Sequence, residues 1–153
     1  MKKKIAILGS TGSIGKSTLE VIKKDKKSFE IVLLTANNNY KKLIHQAKEF
    51  KAKNVFIKNS KFFLKVKKSL NKNKTKVYSG NTSICKIINK KIDYTMSAVV
   101  GLAGLQPTID AIKVSKVVAI ANKETIICGW NILSKLIKKY KTKILPVDSE
   151  HFS

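Results

Sequence analysis

Short uninterrupted apolar runs alternate along this chain with stretches in which apolar residues return every three or four positions. Lys4-Ile5-Ala6-Ile7-Leu8 predicts a buried strand that runs straight into a glycine turn, and Ile14, Thr18, Val21 and Ile22 mark one face of the helix after it. Ile31 to Ala36 predicts a second strand, Leu43, Ala47 and Phe50 a helix, and Val55-Phe56-Ile57 a third strand. Phe62, Val66 and Leu70 predict the next helix, Val77-Tyr78 a short strand, and Ile84 with Ile88 another helix. Asp93 to Ser97 is the next strand candidate, and Pro107, tolerated in a first helical turn, begins a helix continued by Ile109 and Ile112. Val117 to Ala121 is an all-apolar strand. The best stripe in the chain follows, with Ile126, Trp130, Leu133, Ile137 and Tyr140 on one face, and Ile144 to Val147 predicts a last strand. Strands that are apolar on both faces and alternate with helices imply an α/β fold, a doubly wound, mostly parallel sheet covered on both sides. No repeat, linker or low-complexity tract divides it, so one domain is expected.

The length of 153 residues suits one such domain, and a hydrophobic content of 43% provides a core that a disordered chain lacks. Two cysteines cannot staple a domain this large; Cys85 and Cys128 fall in helical stretches and read as small core residues. No apolar run approaches the ~20 residues of a bilayer span. The four apolar residues after Met1-Lys2-Lys3-Lys4 are too few for a secretory signal. A reducing cytoplasm is therefore the expected compartment, with no membrane partner.

Charge adds a second question. The 32 basic residues, all lysine, outnumber 9 acids to give +23, which invites a nucleic-acid reading through counterion release. The distribution argues against it. Lys23, Lys24, Lys48, Lys65, Lys68, Lys138 and Lys139 are scattered over the predicted helices instead of forming a stripe, arginine is absent, and no aromatics interleave to stack bases. What remains is a positive field that steers small phosphorylated anions toward the protein.

The candidate chemistry sits where strands end. Gly9-Ser10-Thr11-Gly12-Ser13-Ile14-Gly15 joins the first strand to its helix with a G-x-x-G-x-x-G spacing. Glycines there let the backbone turn and approach a pyrophosphate, which rests on N–H groups at the helix start; the competing reading is a tight turn with no ligand. After the second strand Asn37-Asn38-Asn39 stands in place of the usual ribose-binding acid, with Lys41 and Lys42 beyond, so nothing rejects a 2′-phosphate. Asn122-Lys123-Glu124 leaves the strand ending at Ala121, and reads either as a helix cap or as polar groups at a ligand-binding strand end. In Pro146-Val147-Asp148-Ser149-Glu150-His151 the two acids are spaced i, i+2, which in an extended segment sets them roughly 6.5–7 Å apart on one side. There they can share a hard divalent cation, the alternative being a generic acidic loop. Ser149 has no nucleophile elbow around it, His45 reads as a surface or packing histidine, and His151 is at most an accessory to the metal.

These motifs, together with Ala98-Val99-Val100-Gly101-Leu102-Ala103-Gly104-Leu105-Gln106-Pro107-Thr108, resemble the 1-deoxy-D-xylulose 5-phosphate reductoisomerase family in order and spacing. The resemblance implies that residues 1–147 form a Rossmann-like NADPH-binding domain and that 148–153 begin the catalytic or connecting region. It implies that Thr11, Gly12, Ser13, Ile14, Asn37, Asn38, Asn39, Asn122 and Glu124 hold NADPH. Lys123, Ser149 and Glu150 would bind the phosphorylated ketose, with Lys123 and Glu150 catalytic. Asp148 and Glu150 would ligate Mg²⁺ or Mn²⁺. In the family the carbon skeleton of the ketose is rearranged while the metal chelates its oxygens, and hydride from NADPH reduces the aldehyde to 2-C-methyl-D-erythritol 4-phosphate, an isoprenoid precursor. Family members are homodimers and continue into further domains, so 1–153 alone is expected to bind NADPH weakly and not to turn over substrate.

Where the family commonly has Gly-Lys-Asn after the second strand this chain has Asn37-Asn38-Asn39, so the usual basic contact to the 2′-phosphate is missing at Asn38, and Lys41 or Lys42 is the expected substitute. Two other readings are a non-catalytic NADP-binding module and a different Rossmann dehydrogenase. A semialdehyde dehydrogenase would need a catalytic cysteine, for which Cys128 beside Gly129 is a poor candidate.

Overall fold

A computed structural model describes residues 1–147. The strands are β1 (Lys3–Leu8), β2 (Phe29–Ala36), β3 (Asn54–Ile57), β4 (Lys76–Ser79), β5 (Ile92–Ser97), β6 (Ser115–Ile120) and β7 (Lys143–Pro146). Between them lie α1 (Ser13–Lys23), α2 (Tyr40–Phe50), α3 (Phe63–Leu70), the single turn α4 (Ile84–Ile87), α5 (Leu105–Val114) and α6 (Lys123–Tyr140). All seven strands are parallel in the order β4-β3-β2-β1-β5-β6-β7. The doubly wound reading holds throughout this sheet. The chain begins at the centre, winds outward to β4, then crosses back over β1 to build the other half. The winding reverses between β1 and β5, and such a reversal leaves a crevice beyond the carboxyl ends of the two strands.

Strands buried on both faces explain why the sequence reads as continuous apolar runs. Ile5 and Ile7 of β1 pack toward α1, α2 and α3, with Leu34, Leu43, Val55 and Val66. Ala6 and Leu8 point the other way, into a core with Leu33, Ile112, Val118 and Leu133. Among the described residues no helix is long and apolar enough to cross a membrane.

Two helix faces differ from the pattern-based expectation. On α1 the inward line is Gly15, Leu19 and Ile22, while Val21 is 61% exposed. Gly15 is the cause: an added Cβ would lie 2.4 Å from the Gly9 carbonyl oxygen, so α1 rests on the glycine turn through a residue that hydrophobic patterning ignores. On α6 the inward line is Thr125, Gly129 and Leu133, and Trp130 is 52% exposed. Here Gly129 abuts Leu105 of α5 at 2.4 Å from where its Cβ would be, so the helices close up along a narrow seam. The same rotation turns Cys128 outward, and Cys85 is only half-buried, so neither cysteine is the core residue expected.

Candidate functional site

The crevice is built first by the turn after β1. Gly9 has φ +79°, and a Cβ on it would lie 2.8 Å from the Ala98 carbonyl oxygen, so conformation and crowding both demand glycine. Ser97 pairs in register with Leu8, and Ala98 N–H donates to the Leu8 carbonyl at 2.9 Å, which is why the turns after β1 and β5 meet. Gly12 is different. A Cβ there would have only the Gly9 carbonyl oxygen nearby, at 3.6 Å, and no side chain caps α1 from this position. No acid stands in the first turn of α1. The leading N–H groups of a helix have no intrahelical acceptor and carry the positive end of its dipole. The Gly12 N–H itself donates to the Gly9 carbonyl at 3.2 Å, and the lack of a side chain at Gly12 leaves room for a group to approach the start of α1, as a pyrophosphate does at such a turn.

Three residues that patterning missed hold this turn. Thr35, at the end of β2, takes the Gly9 N–H on its hydroxyl at 2.9 Å and the Ser10 N–H on its carbonyl at 2.9 Å. The Ser10 hydroxyl donates to Gln46 Oε1 at 2.8 Å, and Gln46 Nε2 donates back to the Ser10 carbonyl at 2.9 Å. Ser10 and Gln46 are both buried. The signal for Gln46 was a polar residue on the buried face of α2, between Leu43 and Ala47.

The segment after β2 is exposed, and its amides are partly committed. Asn39 caps α2 by accepting the Lys42 N–H at 3.2 Å. Asn38 Oδ1 accepts from Asn59 Nδ2 at 2.8 Å, and the Asn37 carbonyl takes the Asn59 N–H at 3.0 Å. The Lys42 side chain neighbours Lys16 of α1. Contact with the Lys16 amine holds the Lys42 ammonium below the usual lysine range. The starts of α1 and α2 thus bring together two lysines, a neighbourhood that sequence spacing alone did not reveal.

On the other side of the reversal, Asn122 joins β6 to α6. Its Nδ2 donates to the carbonyls of Val99 at 2.7 Å and Gly101 at 2.6 Å, and its Oδ1 caps α6 by accepting from Glu124 N–H at 3.0 Å and Thr125 N–H at 3.4 Å. The helix-cap reading of this residue holds, and the same side chain also ties the start of α6 to the loop after β5. Lys123 and Glu124 follow in the first turn and are exposed. Val100 and Leu102, on the loop that Asn122 grips, are 85% and 63% exposed.

The structure thus brings Thr11, Gly12, Ser13, Ile14, the Asn37–Asn39 segment, Asn122, Lys123 and Glu124 to the carboxyl end of one sheet. Val147 N–H donates to the Ile120 carbonyl at 2.9 Å, so β7 also leads to this end. Asp148, Ser149, Glu150 and His151 lie outside the described residues. Among the described residues no cluster of three His, Cys, Asp or Glu could hold a metal ion. His45 is a surface residue, 3.8 Å from Glu49. Burial pushes the Cys85 thiol up, away from the reactivity a nucleophile requires.

Comparison with known proteins follows the same outline. The model of the 1-deoxy-D-xylulose 5-phosphate reductoisomerase family matches residues 5–129. The chain is 58% identical to the Pelagibacter ubique enzyme of that name over 153 residues, 99% of this chain and 39% of the relative. It superposes on the Zymomonas mobilis reductoisomerase in complex with NADPH with a TM-score of 0.91 and 35% identity, over 98% of this chain and 40% of that one. A reductoisomerase in complex with NADPH, fosmidomycin and magnesium matches with a TM-score of 0.88 and 32% identity, over 97% of this chain and 37% of that one. The chain thus spans about two-fifths of the length of such relatives. The family model covers most of the chain, and this chain belongs to the 1-deoxy-D-xylulose 5-phosphate reductoisomerases.

Proposed function

We propose that this chain is the dinucleotide-binding part of an NADPH- and divalent-metal-dependent reductoisomerase that converts 1-deoxy-D-xylulose 5-phosphate to 2-C-methyl-D-erythritol 4-phosphate for non-mevalonate isoprenoid synthesis. The observation that carries the reading is the open turn at Gly12, over an α1 that has no side-chain cap and no acid in its first turn. A purely structural βα turn gains nothing from leaving those donors bare. The solved relatives bound to NADPH, one of them with magnesium as well, support the same cofactors here.

In this reading Thr11, Ser13 and Ile14 take the pyrophosphate on main-chain N–H groups, while Gly12, whose N–H donates to the Gly9 carbonyl at 3.2 Å, leaves room for its approach. The Asn37–Asn39 segment holds the adenosine ribose, and Lys16 with Lys42 neutralises its 2′-phosphate. Asn122 and Glu124 flank the redox half of the cofactor. Lys123, at the first turn of α6, draws in the phosphorylated ketose, with Ser149 and Glu150 as further substrate contacts. Asp148 and Glu150 are the carboxylates assigned to Mg²⁺ or Mn²⁺. When bound, the nicotinamide supplies the hydride and the cation the Lewis acidity. The homodimer and the cytoplasmic setting belong to the same reading, and the unpaired Cys85 and Cys128 suit a reducing compartment.

Titration of the 153-residue chain with NADPH, followed by nicotinamide fluorescence at two salt concentrations, tests the proposal. Saturable binding that an oligonucleotide does not displace is the expected result. Absence of saturation, or displacement by the oligonucleotide, refutes it.

A further inference from the structure

Asn122 was assigned above to the cofactor, yet its side chain is fully committed to the protein. An amide side chain has two donor hydrogens and two acceptor lone pairs. Here the donors go to Val99 and Gly101, and the acceptors to the N–H groups of Glu124 and Thr125. One residue therefore ties the start of α6 to the loop between β5 and α5.

That loop is shaped to be gripped. Gly101 has φ +74°, a left-handed conformation natural to glycine, and Gly104 N–H donates to its carbonyl at 3.1 Å. Gly104 also lies beneath the grip: a Cβ there would come 2.6 Å from the Val99 carbonyl oxygen and 3.0 Å from Asn122 Nδ2. What the fixed backbone presents is apolar. Val100 and Leu102 stand exposed on either side of Gly101. A dinucleotide with its pyrophosphate at Gly12 extends one half over β2, toward Lys16 and Lys42, and the other half over β5 and β6. The second half is the nicotinamide, and it meets this loop.

We propose that Asn122 is a positioning residue, which fixes Val100 and Leu102 as an apolar seat for the nicotinamide half of the cofactor without its side chain touching that cofactor. The inference rests on the NADPH reading and assigns the residue a role in one half of the site only.

Asn122→Asp tests it. The carboxylate keeps the cap on α6 but sets an oxygen against the Val99 and Gly101 carbonyls in place of the donor. Asn122→Ser, which keeps a shorter cap and adds no charge, controls for repulsion of the anionic ligand. Both variants and the parent 153-residue chain are titrated with NADPH and with 2′,5′-ADP, which carries only the phosphorylated adenosine half. In both variants NADPH affinity is expected to fall about tenfold, as loss of the two part-buried hydrogen bonds implies, with 2′,5′-ADP affinity held within about twofold. Equal loss of both ligands, or undiminished NADPH affinity, overturns the positioning role. A parent chain that binds neither ligand overturns the NADPH reading itself, and that failure is recognisable before any variant is compared.

Discussion

Two single-methyl insertions into the glycine turn separate its packing role from its binding role. In Gly15→Ala the new Cβ lies 2.4 Å from the Gly9 carbonyl oxygen, 2.5 Å from Ser10 Cα and 2.7 Å from the Ser10 carbonyl carbon. All three are backbone atoms, and the Ser10 carbonyl is itself held by Gln46. Opening the shortest approach to ordinary contact at 3.4 Å moves α1 by about 1 Å. Overpacking against backbone atoms that cannot swing aside costs about 2–3 kcal/mol, against about 1 kcal/mol gained from the better helix propensity of alanine. A net loss of about 1–2 kcal/mol lowers Tm by roughly 2–8 °C in a domain of this size. In Gly12→Ala the nearest atom to the new methyl is 3.6 Å away and the backbone φ of −79° admits any residue. Its stability stays within about 0.5 kcal/mol of the parent, since reduced chain entropy offsets a slightly poorer cap. The methyl does, however, occupy the space through which a pyrophosphate would approach α1. Thermal melts followed by circular dichroism, paired with NADPH titrations, should show Gly15→Ala losing both stability and affinity. Gly12→Ala should keep its Tm and lose about tenfold or more in affinity. A Gly12→Ala variant that binds NADPH like the parent would place the pyrophosphate elsewhere, and a Gly15→Ala variant that melts like the parent would mean that α1 does not bear on the turn.

The contrast between these glycines also shows where sequence reading stops. The strands were legible because both faces of a parallel sheet are buried, so Ile5-Ala6-Ile7-Leu8 and Val117 to Ile120 stand out as runs with no polar interruption. The glycine turn and the Asn122 cap were legible because turn and cap chemistry is local. Helix faces were read less well, since Gly15 and Gly129 set how closely α1 and α6 approach their neighbours and a hydrophobic stripe does not register a glycine. Links between residues far apart in sequence were missed altogether. Ser10 to Gln46, Asn38 to Asn59, and Asn122 to Val99 are separated by 36, 21 and 23 positions. Only the sheet order brings them together, and it is not written in any local window. Lys16 and Lys42 belong with these: each lysine is unremarkable in so basic a chain, and only the meeting of two helix starts makes them a pair.

The remaining predictions concern those long-range links. Gln46→Ala strips the buried Ser10 hydroxyl and carbonyl of their partner and should destabilise the chain by about 1–3 kcal/mol, read as a lower urea midpoint at unchanged m-value; an unaltered midpoint would mean that the turn does not depend on Gln46. Lys42→Ala should reduce NADPH affinity about three- to tenfold and leave NADH affinity unchanged, whereas Lys41→Ala should alter neither. The pH dependence then follows from the direction of the Lys42 shift. Contact with Lys16 lowers its pKa, so in the free protein the ammonium gives up its proton at a lower pH than an ordinary lysine. A 2′-phosphate favours the charged form, so NADPH binding is coupled to proton retention on Lys42. The preference for NADPH over NADH is therefore full at neutral pH and declines as pH rises through the depressed pKa. Lys16→Ala removes the neighbour, returns Lys42 toward its usual range and should move that decline to higher pH. A preference that is flat with alkaline pH, or a decline that does not move when Lys16 is removed, would show that these two lysines do not read the 2′-phosphate together.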